Sequence, residues 1–143
     1  MSLFWFFAIA LGLVVIWAMR RSSGQNAPRV MLRGTGDYAL EVVGESHYQP
    51  ALRAVCGPGE VRHKCQATLT LENTNPHDKK AVRVDIVGRT VGYLSRDDAR
   101  TYRKALAKSG HPKDLIAGCE AILIGGGDGR EFVGVWLDVQ LSD

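Results

Sequence analysis

The sequence predicts an all-β domain of about six strands with two short helices, in the proportions of a small closed or nearly closed barrel, preceded by one transmembrane helix. Three observations lead there. Apolar and polar residues alternate at period 2 through most of the chain after Asp37, two short segments switch to helical spacing, and Ser2 to Met19 carry no charge at all. Periodicity by itself does not separate a barrel from a sandwich.

The uncharged run at 2–19 is rich in Leu, Ile, Val, Phe and Trp, with Trp5 and Trp17 near its two ends, and is about the shortest helix that spans a bilayer. A cleaved export signal would place basic residues before the apolar run and a small-residue cleavage site after it. Here the basic pair Arg20-Arg21 follows instead, which favours an uncleaved anchor over the export-signal reading. Arg20, Arg21, Arg29 and Arg33 then lie on the cytoplasmic side. The expectation is a single-pass membrane protein with its N-terminus outside and its globular domain cytoplasmic. Residues 20–36, rich in Ser, Gly, Asn, Pro and Arg without one acidic residue, read as a flexible basic linker lying near anionic headgroups. The barrel domain takes 37–143.

Eighteen Lys and Arg against 15 Asp and Glu give a net charge of +3, which permits nucleic acid or anionic lipid as partner and argues for neither. Cys56, Cys65 and Cys119 have no metal-ligand spacing and read as buried free thiols of a reducing compartment. His47, His63, His77 and His111 form no H-x-x-x-H, and no serine or cysteine nucleophile motif occurs. No metal, cofactor or catalytic residue is therefore expected, and the chain reads as a binding module rather than an enzyme.

Within the domain, Tyr38, Leu40 and Val42 alternate into a first strand ending at Gly44. Pro50 suits the first turn of a short helix carrying Leu52, Val55 and Cys56 on one face, closed by Gly57-Pro58. Ala67, Leu69 and Leu71 form the next strand, Val82, Val84 and Ile86 the third, and Gly88-Arg89 a two-residue turn into Thr90 to Leu94. Ser95-Arg96-Asp97-Asp98 is a capping box, so a helix starts there, with Ala99, Tyr102 and Leu106 on one side and Arg96, Arg100, Lys104 and Lys108 on another. That basic row is either a solvated face or a path beside a phosphate backbone. Two last strands, around Ala121 to Ile124 and from Val133 to Leu141, flank the loop Gly125 to Gly129. That loop lacks G-K-[ST] and a following helix, so it reads as a hairpin loop rather than a phosphate cradle.

The loop from Asn73 to Lys80 draws the eye. Asn75 precedes Pro76, which extends its backbone, while Asn73, Asn75 and Asp78 can each bond the local backbone and hold a turn. At these residues the chain resembles a known family, the HIRAN domain, found in helicase-like DNA-repair proteins and as stand-alone bacterial proteins. Four runs carry the resemblance, in order, between Leu40 and Leu106: Val42-Val43-Gly44, Glu72 to Asp78 as acidic-Asn-x-Asn-Pro-aromatic-Asp, Ala81-Val82-Arg83-Val84 and Val91-Gly92-Tyr93-Leu94.

The resemblance implies an OB-like barrel and recognition of the 3′ end of single-stranded DNA. Asn75 and Asp78 would hold the terminal nucleotide, Asp78 accepting from its 3′-hydroxyl; His77 would line the pocket, with Tyr93 close by; and Arg96 would meet a phosphate. DNA-binding members of the family place a basic residue and two aromatics directly after Val-Val-Gly, whereas this chain has Glu45-Ser46-His47-Tyr48. His47 would have to stack a base with Tyr48 beside it, and Glu45 repels phosphate. Two readings stay open. One is a membrane-tethered module for single-stranded DNA; the other is a membrane-tethered protein-interaction domain, with an unidentified protein partner, that keeps the fold without the DNA site. Asn75 and Asp78 also suit simple capping of their own loop.

Overall fold

The computed structural model describes residues 27–141. Seven strands form in this span: β1 Val30–Met31, β2 Leu40–Val43, β3 Val61–Leu71, β4 Val82–Ile86, β5 Arg89–Leu94, β6 Ile116–Gly125 and β7 Gly134–Leu137. The hydrogen-bonded order is β1-β6-β3-β4-β5-β2-β7, and β7 pairs back onto β6. Six strands thus close into a barrel, with β1 added outside the ring. Closure through β6 and β7 leaves two part-edges, the start of β6, which β1 takes, and the first half of β3, which β4 reaches only from Thr68 to Leu71.

β2 makes the corner. Its first half, Leu40 and Glu41, pairs with Leu137 and Trp136 of β7, and its second half, Val42 and Val43, with Leu94 and Tyr93 of β5. Gly92 permits this close crossing, since a Cβ there would stand 2.6 Å from Val43 O.

Alternation along the strands fills the interior. Val42, Leu69, Val82, Val84, Val91, Leu123, Val135 and Leu137 are fully buried, each worth roughly 1.5–3 kcal/mol relative to an exposed side chain. Helix α1, Gln49–Cys56, plugs one side with Leu52. The Gln49 side chain binds it down reciprocally, donating to Val133 O at 2.9 Å and accepting from Val133 N at 2.9 Å. Helix α2, Arg96–Lys108, covers the barrel with Ala99, Tyr102 and Leu106, and its N-cap Ser95 Oγ accepts from Asp98 N at 3.1 Å. Both predicted helices and the capping box are therefore present.

Several boundaries differ from the sequence expectation: β6 starts at Ile116 rather than near Ala121, and β7 spans only Gly134–Leu137 rather than Val133 to Leu141. Val30 and Met31, assigned to the flexible linker, form β1 and run parallel to Ala117 and Gly118, with Arg29 N donating to Ile116 O at 2.9 Å and Leu32 N to Gly118 O at 2.7 Å. Val30 and Leu32 pack against the core, which gives this segment a reason to order. The β4–β5 turn is Val87-Gly88, not Gly88-Arg89, because Ile86 pairs with Arg89. β3 starts at Val61 rather than Ala67; its first half escapes a period-2 reading because Arg62, His63 and Lys64 are all exposed. The predicted transmembrane helix at 2–19 lies outside the described residues, and no helix among the described residues is long and apolar enough to cross a membrane.

Candidate nucleic-acid interface

The predicted site residues come from four consecutive pieces of the barrel. A 3-10 turn, Glu45–Tyr48, follows β2 and packs on β5, bringing the Tyr48 ring to 6.5 Å from that of Tyr93 at a 48° tilt. Both rings are half-buried, and exposed Val43 pairs with Tyr93 on the same outer surface. His47 is exposed on this turn, its backbone N–H donating to Gly44 O.

The Asn73–Lys80 loop is built from its own side chains. Asn75 Oδ1 accepts from His77 N at 2.8 Å and Asp78 N at 3.1 Å, and Asp78 Oδ1 accepts from Lys80 N at 2.9 Å. Both acceptor positions of the Asn75 oxygen are used, so its remaining capacity toward a ligand is one amide hydrogen. Asp78 differs: among the described residues its second oxygen has no donor, and the side chain is half-buried rather than free in water. His77 stands exposed at the loop.

Glu72 ties the loop to the aromatic pair. It accepts from Asn75 Nδ2 on one oxygen and from Arg83 Nη1 on the other, both at 3.3 Å. Burial pushes the Tyr93 phenol up, and the Glu72 carboxylate and Tyr48 beside it push it further, so Tyr93 stays a protonated donor. Arg83 opposes Tyr93 across the β4–β5 ladder and also grips Asp85, Nε lying 3.0 Å from both carboxylate oxygens. Burial works against the Arg83 charge, but the bonds and charge of Asp85, with Glu72 behind, leave its pKa raised. A guanidinium held by two carboxylates offers little to a phosphate. Beyond it a groove of about 600 Å³ runs past Gln66, Thr68, Asp85 and Thr90 to the exposed Val87.

The structure thus brings Tyr48, Tyr93, Asn75 and Asp78 into one connected cluster. Arg96 is exposed in the first turn of α2, three residues beyond Tyr93, and His47 and His77 are exposed, on the turn after β2 and on the loop. Sequence reasoning missed three participants: Glu72 and Arg83 as the cluster's hub, and Arg103, whose guanidinium donates to the loop at Asn73 Oδ1, Lys80 O and Ala81 O. Arg103 falls between Ala99 and Leu106 on α2, at the flank of the buried stripe, where a long cationic side chain can reach a neighbouring loop.

The HIRAN domain model matches residues 35–122, more than half of the chain, and the chain belongs to the HIRAN family. HIRAN domains are in general single-stranded-DNA-binding modules. No curated protein and no solved structure matches it.

Proposed function

We propose that the chain is a membrane-tethered, cytoplasm-facing module that holds single-stranded DNA at its 3′ end. The observation that carries the end-specific part is Asp78. Asn75 Oδ1 holds the Asp78 backbone N–H and Asp78 Oδ1 accepts from Lys80 N, which leaves the other Asp78 oxygen without a donor among the described residues, close in the loop to Asn75, which Glu72 joins to the Tyr93–Tyr48 pair. A carboxylate accepts from a hydroxyl and repels a phosphate at the same spot, so it reads the chemistry of a strand end. The tilted aromatic pair offers π-surface to the last bases, and Arg96, Lys79 and Lys80 are exposed for phosphates.

The test is a titration with oligonucleotides ending in 3′-hydroxyl or 3′-phosphate. The hydroxyl form should bind with a dissociation constant on the order of micromolar, since Glu45-Ser46 supplies no basic residue beside the aromatics. Asp78→Ala should abolish the preference and cost roughly 1.5–3 kcal/mol toward the hydroxyl form. Arg96→Ala should weaken both forms equally and lower the salt slope by about one phosphate contact. Absence of binding at low salt, or equal binding of both ends by the unaltered chain, favours the protein-interaction reading, which Glu45 and the carboxylates of Glu72 and Asp85 already support.

The tether is tested separately. A reporter fused after Asp143 should be active in its cytoplasmic form and silent in its periplasmic form, because Arg20-Arg21 follows the apolar run. The opposite pattern rejects the orientation.

A further inference from the structure

We infer that Trp136 and Arg130 form a second nucleotide platform, across β2 from the first, on which a strand held at Tyr93 continues; this rests on the single-stranded-DNA reading proposed above. Residues paired across a ladder share a face, so Tyr93, Val43, Glu41 and Trp136 all point outward along one path. Two strand spacings and two residues along β2 put Tyr93 and Trp136 on the order of 12 Å apart. That lies within the reach of the ~4–16 nucleotides an OB-like fold accommodates. Exposed Val43 and Glu41 of β2 lie between them on that path.

The platform is prepared in advance. The indole lies against Gly134, where a Cβ would approach it to 2.7 Å, so glycine is what lets the ring rest on its own strand. The Arg130 guanidinium carbon sits 4.8 Å from the ring centroid. Ile124 pairs with Gly134 on one side and with Arg62 on the other, and Arg62 is exposed. The Arg130 guanidinium lies over the ring, so a base takes that face as Arg130 swings to a phosphate, with exposed Arg62, two strands away, as a second cation. Exposed Glu41 gives the path a direction: it repels phosphate, so the backbone runs on the Arg130 and Arg62 flank with bases turned toward the indole. Trp136 and Arg130 both lie beyond the residues that the family model matches.

The experiment uses the full chain in detergent with Trp5→Phe and Trp17→Phe, leaving Trp136 as the one indole of the three. Oligothymidylates of three and ten nucleotides, both with a 3′-hydroxyl, are titrated while indole fluorescence is followed. The longer strand should quench Trp136 and bind about tenfold tighter, the increment of one stacked base and one phosphate. Trp136→Leu should remove that gain and leave the shorter strand unaffected. Arg130→Gln, a surface change that spares the core, should lower the salt slope for the longer strand alone. Equal affinities without quenching, or variants that weaken both lengths alike, overturn the platform while leaving the Tyr93 site standing. If neither strand binds, the DNA reading fails and the platform with it.

Discussion

Arg103 Nη1 donates to Asn73 Oδ1 at 2.7 Å, across 30 residues of sequence, and the same guanidinium reaches Lys80 O at 2.8 Å and Ala81 O at 2.9 Å. One side chain of α2 therefore holds both ends of the loop that carries Asn75 and Asp78. Lys113 O adds a further brace by accepting from Asn73 Nδ2 at 2.8 Å. Burial lowers the Arg103 pKa while the Asp78 charge opposes that shift, placing a cation close to the carboxylate proposed to read the strand end.

The clamp should be separable from the fold. Arg103→Ala is expected to cost about 1–2 kcal/mol, as for hydrogen bonds from a partly exposed charged group. The amides of His77, Asp78 and Lys80, which bond Asn75 and Asp78, should exchange faster with deuterium, while those of the barrel strands hold. Arg103→Lys should not restore protection, because an ammonium cannot reproduce three bonds from one planar fork. Unchanged exchange at these amides would mean that the loop holds itself through Asn75 and Asp78 alone.

The thiols set a second expectation, in alkaline solution. Burial pushes the Cys65 thiol up to about 11, with Cys56 adding to it, and Cys119 up to about 12, burial leading and Asp138, Cys65 and Glu120 adding charge. Their ordinary value is 9.0. A raised folded-state pKa means that the native state keeps its proton where the unfolded chain has lost it, so this stability is complete below about pH 9 and declines as pH climbs toward 11 and 12. Denaturant titrations at intervals from pH 7 should be level up to that point and then fall. Cys119→Ala should flatten the decline between pH 9 and 10, before the raised tyrosines contribute with the same sign. A decline of equal slope in the variant would assign the effect to other groups.

Legibility in the sequence follows the range of the interaction. Alternation such as Ala67, Leu69, Leu71 is visible because each strand buries one face, and the Ser95 capping box because its partners lie within four residues. The turn formed by Asn75 and Asp78 is legible for the same reason: every bond in it spans two or three residues. Closure of the ring through β6 and β7, the docking of Val30-Met31 and the Arg103 clamp are not, since each joins segments that no local pattern connects. Glu72 and Arg83 stand in between. Both fall inside the runs that resemble the HIRAN family, yet their pairing across 11 residues emerges only once β3 and β4 are in register.

The β4–β5 turn gives the sharpest test of that limit. Sequence reasoning places glycine first in the turn, but pairing of Ile86 with Arg89 makes Val87 and Gly88 the two central residues, with φ of 50° and 71°. Two positive values define a type I′ turn, whose twist suits a hairpin and whose preferred residues are Asn-Gly. Valine is among the least suited side chains for the first position, because its branched Cβ crowds the backbone at positive φ. Nothing in the packing compensates, since Val87 is 80% exposed. Val87→Asn should therefore raise stability by about 1 kcal/mol, visible as a thermal midpoint several degrees higher, with DNA affinity unchanged because the turn lies at the far end of β5 from Tyr93. A lower midpoint would show that the valine makes contacts that outweigh its backbone strain. Weakened DNA binding without loss of stability would instead bring the groove beside Val87 into the binding surface.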